Sequence, residues 1–249
     1  MGFLDAPRPL AFAHRGGAGD GVENALSAFA DVQRLGYRYV ETDVRTTSDG
    51  VAVVFHDDDT SRLTGTAGRI ADLAMADVAR LALAGGERVA TLEQALTAFP
   101  GLRFNIDLKD EGSVRSVPRV LQRTGAGDRV CLTSFAERRV RAVRRRVGPE
   151  VCTGLGVGGV LALLAGRSCA PASVAQLPWS LPRGRTLPRW VVDAAHRRGL
   201  DVHVWTLDDP AAISAALDLG VDGVMTDRPG VLRDVLAARG QWHPAPGTT

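Results

Sequence analysis

Lysine is all but missing from this chain. Of 30 basic side chains in 249 residues the only lysine is Lys109, and the only asparagines are Asn24 and Asn105. A chain that otherwise avoids these residue types and keeps them at three places marks those places for attention. Cysteine is scarce too. Cys131, Cys152 and Cys169 have no metal-ligand spacing, and their odd number argues against a disulfide framework. No apolar run reaches the ~20 residues of a membrane span. The start, Met1-Gly2-Phe3-Leu4-Asp5, lacks the basic residues and cleavable apolar segment of a signal peptide. Position 6 lacks the Ser or Thr that N-myristoylation of Gly2 prefers. A cytoplasmic location is therefore expected. A dominant charge is also lacking: a net +2 gives no argument for a nucleic-acid partner. The densest basic stretch, Arg138-Arg139-Val140-Arg141 with Arg144-Arg145-Arg146, falls at helical spacing and reads as a solvated helix face.

What is present is a rhythm. Strands are expected at 9–14, 38–44, 103–108, 130–134, 151–155, 173–177, 201–206 and 222–226. Helices are expected at 24–35, at 113–123, 136–147, 159–166, 188–198, 210–219 and 230–239, and from Thr91, a candidate N-cap. Eight strands each followed by a helix, in a chain of this length, predict a single α/β domain, a (β/α)8 barrel. Residues 57–90 read as a small insertion after strand two, with a short helix at 76–82. Residues 240–249, rich in Pro and Gly, read as a flexible tail.

One stretch departs from the rhythm. Tyr39-Val40-Glu41-Thr42-Asp43-Val44-Arg45-Thr46-Thr47 runs through Ser48-Asp49-Gly50 into Val51-Ala52-Val53-Val54-Phe55-His56-Asp57. This is strand, turn, strand, and the return arm follows too closely to be a parallel barrel strand. It must extend strand two above the barrel's C-terminal rim and come back down. Glu41 and Asp43 are two apart and share a face. A turn centred between Ser48 and Asp49 sets His56 opposite Glu41, whereas a slip of one residue turns His56 away. Two carboxylates amid apolar neighbours need a cation or a strong partner.

Barrel active sites lie where strands end at the C-terminal face. His14 ends strand one, Glu41 and Asp43 lie on strand two, and the hairpin returns His56. Asp107 and Lys109 end strand three and Trp205 ends strand seven. Singly, each has a plainer reading: a structural histidine, an acidic strand face, a surface ion pair, a pocket-wall tryptophan. Together they offer three hard oxygen donors for one divalent cation, Mg²⁺ or Ca²⁺, and two imidazoles for acid–base work. Arg15 and Lys109 add fixed positive charge for an anion. That set suits in-line displacement at a phosphodiester.

The same residues resemble a known family. His14-Arg15-Gly16-Gly17, Glu23-Asn24, Glu41-Thr42-Asp43-Val44, Asp49-Gly50, His56-Asp57, Thr91-Leu92-Glu93, Asn105-Ile106-Asp107-Leu108-Lys109, Trp205-Thr206 and Gly223-Val224-Met225-Thr226-Asp227-Arg228-Pro229 are similar to the motifs of the glycerophosphodiester phosphodiesterases, from about residue 10 to residue 236. The resemblance implies metal ligands at Glu41, Asp43 and Asp107, an acid–base pair at His14 and His56, and phosphate contacts from Arg15 and Lys109. It implies a small-molecule glycerophosphodiester substrate cleaved to sn-glycerol 3-phosphate and an alcohol. Asp107 stands where the family commonly has Glu, Val22 and Ala25 replace a usual Pro and Thr, and Asp208 replaces a frequent Asn. The related sphingomyelinase D enzymes share the Asp at the third ligand. Two other readings use the same barrel. One is phospholipase D-type activity on lysophospholipid or sphingomyelin, the other a non-catalytic phosphodiester-binding protein. The mixed polarity of 57–90 favours small soluble diesters, since an acyl chain needs an apolar groove. Homo-oligomerisation stays open.

Overall fold

The structure, a computed structural model, describes residues 2–19, 21–168 and 171–246. Cys169 lies outside them; Cys131 and Cys152 are free, buried and paired in register on neighbouring strands. Eight parallel strands form the barrel: β1 (Leu10–Ala13), β2 (Tyr39–Thr46), β4 (Arg103–Leu108), β5 (Val130–Thr133), β6 (Cys152–Thr153), β7 (Val174–Pro178), β10 (Asp201–Trp205) and β11 (Gly223–Thr226). Their order around the sheet is β6-β5-β4-β2-β1-β11-β10-β7, and a parallel bridge between Gly154 and Val174 closes the ring. Gly154 permits that closure, because a Cβ there would lie 2.9 Å from Thr133 Cγ2.

A helix follows each barrel strand: α1 (Leu26–Arg34), α4 (Leu92–Ala98), α5 (Ser113–Thr124), α6 (Glu137–Val147), α7 (Val157–Leu164), α8 (Arg189–His196), α9 (Pro210–Leu219) and α10 (Pro229–Ala238). The (β/α)8 architecture read from the sequence is the one observed. Thr91 caps α4 with a complete capping box, its side chain accepting from Gln94 N while Gln94 reaches back to Thr91 N. No described helix is long and apolar enough to cross a membrane.

Alternation along the strands divides two cores. On β2, Val40 and Val44 point outward into the layer shared with the helices, alongside Phe104, Ile106, Leu132 and Val204. Tyr39 points inward and meets Phe3, Phe12 and Met225, which plug the floor of the barrel. Above that plug, Asn105 and Gln176 exchange amide hydrogen bonds at 2.7 and 3.3 Å. Glu41 and Asp43 are the next inward residues of β2, and Asp43 pairs in register with Asp107 of β4.

The hairpin arm β3 (Ala52–Val54) pairs antiparallel with β2, but one residue away from the expected register: Val44 faces Val54 and Thr46 faces Ala52. The loop is three residues, Ser48-Asp49-Gly50, inside Thr47 and Val51, whose backbones hydrogen-bond across it at 3.0 Å. Gly50 supplies the left-handed third position, φ 85°. Residues 57–90 carry two short helices, α2 (Ser61–Thr64) and α3 (Met75–Val78). Ile70, Val78, Leu81, Leu83 and Val89 close over Val53, Phe55, Ala25 and Ala28 in a second core. The sequence reading missed a ribbon of β8 (Ser180–Leu181) and β9 (Arg185–Thr186). Near the end of the chain two contacts hold the backbone against the barrel. Trp242 packs edge-on to Tyr37 at 5.0 Å, and Ala245 N donates to Gly36 O. Residues 247–249 lie outside the described set.

Candidate active site

His14, Arg15, Glu41, Asp43, His56, Asp107, Lys109 and Trp205 all line one cleft of about 450 Å³ at the C-terminal mouth of the barrel. His14 follows β1, where the chain turns through a short 3₁₀ segment. Its Nδ1 stands 2.7 Å from Asp227 Oδ1. A carboxylate only accepts, so Nδ1 carries the proton and Nε2, 3.6 Å from Glu41 Oε2, is the free nitrogen. Burial alone would lower the His14 pKa, but Glu41 and Asp227 outweigh it and raise it above the ordinary histidine value.

Arg15 sits at φ 51°, in the left-handed region that non-glycine residues seldom occupy. This turn brings its backbone N–H to Glu41 Oε2 at 3.1 Å. Its Nε lies 3.2 Å from Asp43 without the alignment of a hydrogen bond. A chain of ion pairs then crosses the mouth. Arg15 meets Glu23 at 3.1 Å, Glu23 meets Arg62 at 2.8 Å, and Arg62 meets Asp57 at 2.5 Å. Asp57 in turn holds His56 Nδ1 at 2.6 Å. Asp57 itself is pushed down to about 2, chiefly by Arg62.

His56 reaches the cleft by a route the sequence reading did not foresee. With the register shifted by one, strict alternation would aim it away from Glu41. The last ladder hydrogen bond, however, is Phe55 N to Asp43 O. Past Phe55 the chain leaves the sheet, and Arg45 Nε holds the His56 carbonyl at 2.9 Å. Besides Asp57, the His56 charge acts on Asp43 and Asp107. The carboxylates acting most strongly on Glu41 are Asp43 and Asp107, with His14 and Lys109 as its cations. The register no longer sets His56 opposite Glu41, yet His56 lines the same cleft as Glu41, Asp43 and Asp107.

Three buried carboxylates share few cations. Glu41 is pushed up to about 7, first by burial and then by Asp43. Asp107 is raised by burial, and its Oδ1 is buried without a hydrogen-bond partner. Burial also works against Asp43, but Lys109, Arg15, His56 and the Asn24 amide at 3.0 Å hold it below the usual range. Lys109 Nζ lies 2.9 Å from Asp43 and 2.7 Å from Asp107. The lysine read as a phosphate contact is therefore tied to acids. No three described His, Cys, Asp or Glu side chains form a ready metal cage. The donor chemistry nonetheless suits a hard cation: three converging carboxylates, one with an orphaned buried oxygen.

The sequence reading gave no role to Asp227, Asp57, Glu23 or Asn24, although all four sit in motifs it singled out. A signal for Asp227 exists. Ala13 pairs with Thr226, so the residues just past these two strand ends are neighbours. Phe135 gave no such signal. It follows β5, meets Trp205 edge-on at 5.7 Å, and lies 5.9 Å from Lys109 Nζ.

Residues 14–231 match the glycerophosphoryl diester phosphodiesterase family. The chain is 38% identical to a Mycobacterium tuberculosis protein named probable glycerophosphodiester phosphodiesterase 2, over 98% of this chain and 96% of that one. It is 27% identical to a human lysophospholipase D, covering 90% of this chain and 85% of the other. Among solved structures, an Oleispira antarctica phosphodiesterase in complex with the product sn-glycerol-3-phosphate superposes with a TM-score of 0.81 at 24% identity, covering 92% and 97% of the two chains. A Parabacteroides distasonis glycerophosphodiester phosphodiesterase gives 0.79 at 24%, covering 95% and 100%.

Proposed function

The chain belongs to the glycerophosphoryl diester phosphodiesterase family, and on that premise we propose that it hydrolyses glycerophosphodiesters to sn-glycerol 3-phosphate and an alcohol, with one divalent cation and two histidines. The observation that carries the reading is the cleft itself. Two histidines, each with Nδ1 held by its own carboxylate, line the same wall-to-wall space as three buried acids, Arg15 and Lys109.

Glu41, Asp43 and Asp107 would hold the cation. Mg²⁺ or Ca²⁺ there supplies positive charge to the phosphoryl oxygens. Arg15 contributes a second fixed charge, and Lys109, paired with Asp43 and Asp107, favours their ionised forms. One imidazole takes a proton from the attacking hydroxyl at its free Nε2, and the other gives a proton to the departing alkoxide. With water as nucleophile, its oxygen joins phosphorus, the bond from phosphorus to the alcohol oxygen breaks, and the proton count balances between the two rings. A cytoplasmic location and a small-molecule substrate belong to this reading.

A second reading, phospholipase D-type cleavage of a lysophospholipid or sphingomyelin at the same site, is favoured by the apolar wall of the cleft. A non-catalytic barrel is disfavoured, because no histidine or carboxylate of the set is missing. The test is release of glycerol 3-phosphate from a panel of glycerophosphodiesters before and after exhaustive chelation. Turnover should vanish and return with Mg²⁺ or Ca²⁺; full activity after chelation would sink the metal site.

A further inference from the structure

We propose that the side of the barrel built from α6, α7 and the start of α8 docks on a bilayer surface rich in anionic lipid. The docking face lies on the outside of the barrel, and its occupant is the same whichever diester the cleft cleaves.

Charge is unevenly divided along this chain. Residues 133–192 hold ten arginines and two acidic residues, Glu137 and Glu150, while the rest of the chain holds 20 basic and 26 acidic residues. The net +2 is thus +8 on one segment and −6 on the remainder. Because α6 packs beside α7, and α7 beside α8, the segment is also one side of the barrel. Glu137 is turned inward, where it accepts from Gly156 N at 3.0 Å and from Gly159 N at 2.9 Å. Arg138 and Arg141 are each held by one carboxylate. Arg145 and Arg146 at the end of α6, and Arg183 and Arg185 on the β8–β9 ribbon, are exposed and make no ion pair among the described residues. A field of one sign on one side of a molecule draws an anionic partner.

The same side is apolar where it is not basic. Residues 151–166 contain no charged side chain. Val157, Leu161 and Leu164, exposed at 49%, 60% and 40%, are four and three residues apart and make one stripe along α7. Trp190, 55% exposed, stands in the first turn of α8, and Phe135, 58% exposed, precedes α6. Among the described residues these five are all the large apolar side chains that are exposed, and all lie on neighbouring elements. Singly they would mean little, but a contiguous patch marks an interaction surface. A nucleic acid would use the arginines and leave the leucines and the tryptophan wet. A bilayer with acidic headgroups fits both sets. Its lipid phosphates face the guanidiniums, its hydrocarbon takes the stripe, and tryptophan favours the layer between.

The test is co-sedimentation of the full chain with vesicles of phosphatidylcholine, and of an equal mixture of phosphatidylcholine and phosphatidylglycerol. The wild type should sediment with the mixed vesicles and not with phosphatidylcholine alone, and added salt should weaken the binding. Arg145→Gln combined with Arg146→Gln should lower the partition about 30-fold, at about fivefold per arginine. Leu164→Asn keeps every charge and should lower it about five- to tenfold through lost apolar contact. Tryptophan emission should shift to the blue on the mixed vesicles, and Trp190→Phe should abolish that shift. All four positions are exposed and lie outside the cleft, so each variant should keep the wild-type melting temperature. No sedimentation of the wild type overturns the docking face. So does sedimentation that the arginine variant weakens but that leaves Leu164→Asn and the Trp190 emission unaffected, since that is adsorption of a cation and not docking. A dimer that Leu164→Asn dissociates, with vesicle binding unchanged, would give the stripe to a second copy and likewise overturn it. None of these outcomes depends on hydrolysis of any diester, so loss of the phosphodiesterase reading would leave the docking face standing.

Discussion

His14 Nδ1 donates to Asp227 Oδ1 at 2.7 Å, which leaves Nε2 as the nitrogen turned toward Glu41. Asp227 has no place in the acid–base step itself. Its work is to fix which nitrogen carries the proton and how the ring is aimed. Asp227→Asn keeps the size and loses the obligate acceptor, so the ring can adopt the other tautomer. The expected result is a fall in kcat of about 10- to 100-fold with KM little changed. The pH–rate limb owed to His14 should move as well. An unchanged kcat and profile would show that the contact is merely structural.

Glu41 tests the cation site in two opposite directions. Its carboxylate is buried and crowded by Asp43, which pushes it up to about 7. Without a cation, Glu41→Gln removes a destabilising charge while the amide oxygen still accepts from Arg15 N–H. The chelated variant should therefore melt higher than chelated wild type by a few degrees, consistent with about 1–2 kcal/mol. The rise in melting temperature on adding Mg²⁺ or Ca²⁺ should shrink. Thermal melts with and without chelator decide it. A chelated variant that melts lower, together with an intact metal-induced rise, would contradict the assignment of Glu41 as a ligand.

Acid sensitivity should come in part from a residue outside the reaction. His203 is fully buried beneath the site, its Nε2 has no hydrogen-bond partner, and burial pushes its pKa down to about 3. In the unfolded chain it takes up a proton near its ordinary value of 6.5. The unfolded state thus binds more protons between these limits, so stability is complete above about pH 6.5 and lost as pH falls toward 3. Over that range the loss attributable to His203 is about 3–5 kcal/mol. His203→Asn, which cannot titrate, should flatten denaturant-derived stability between pH 6.5 and 4. Equal slopes in variant and wild type would assign acid unfolding to other groups.

Much of the barrel was legible because its strands show either short apolar runs, Leu10-Ala11-Phe12-Ala13 and Val130-Cys131-Leu132, or alternation, Phe104, Ile106 and Leu108 on one face. The site residues were legible because charges and histidines at strand ends break those runs. The hairpin register was not. It turns on whether Gly50 closes a two-residue or a three-residue loop, and one residue of difference reverses every side chain. His56 enters the cleft only because the ladder stops at Phe55, and no periodicity encodes where a ladder stops. Asp227 and Asp57 were hidden for another reason. A carboxylate that positions an imidazole looks, in sequence, like any loop aspartate. Nor does an apolar helix announce which face stays wet: α7 reads as ordinary core until Leu161 is found at 60% exposure.

The two histidines carry the most demanding prediction. A phosphodiester needs its nucleophile deprotonated and its alkoxide leaving group protonated, at atoms on opposite sides of phosphorus, so one ring cannot easily serve both. His14 and His56 enter the cleft from different elements, the end of β1 and the arm after β3, each oriented by its own aspartate. His14→Ala and His56→Ala should each lose about 10²–10⁴-fold in rate on a natural glycerophosphodiester. The double variant should lose far less than the product of the two, because both act in one transition state. The diagnostic measurement repeats the series on a diester whose leaving group is nitrophenolate. That group departs without a proton, so the variant lacking the general acid should recover most of its rate while the variant lacking the general base stays slow. Recovery by one and only one single variant identifies the acid. Near wild-type rates for both on the natural diester, or recovery by both on the activated one, would show that the two rings do not divide the proton transfers between them.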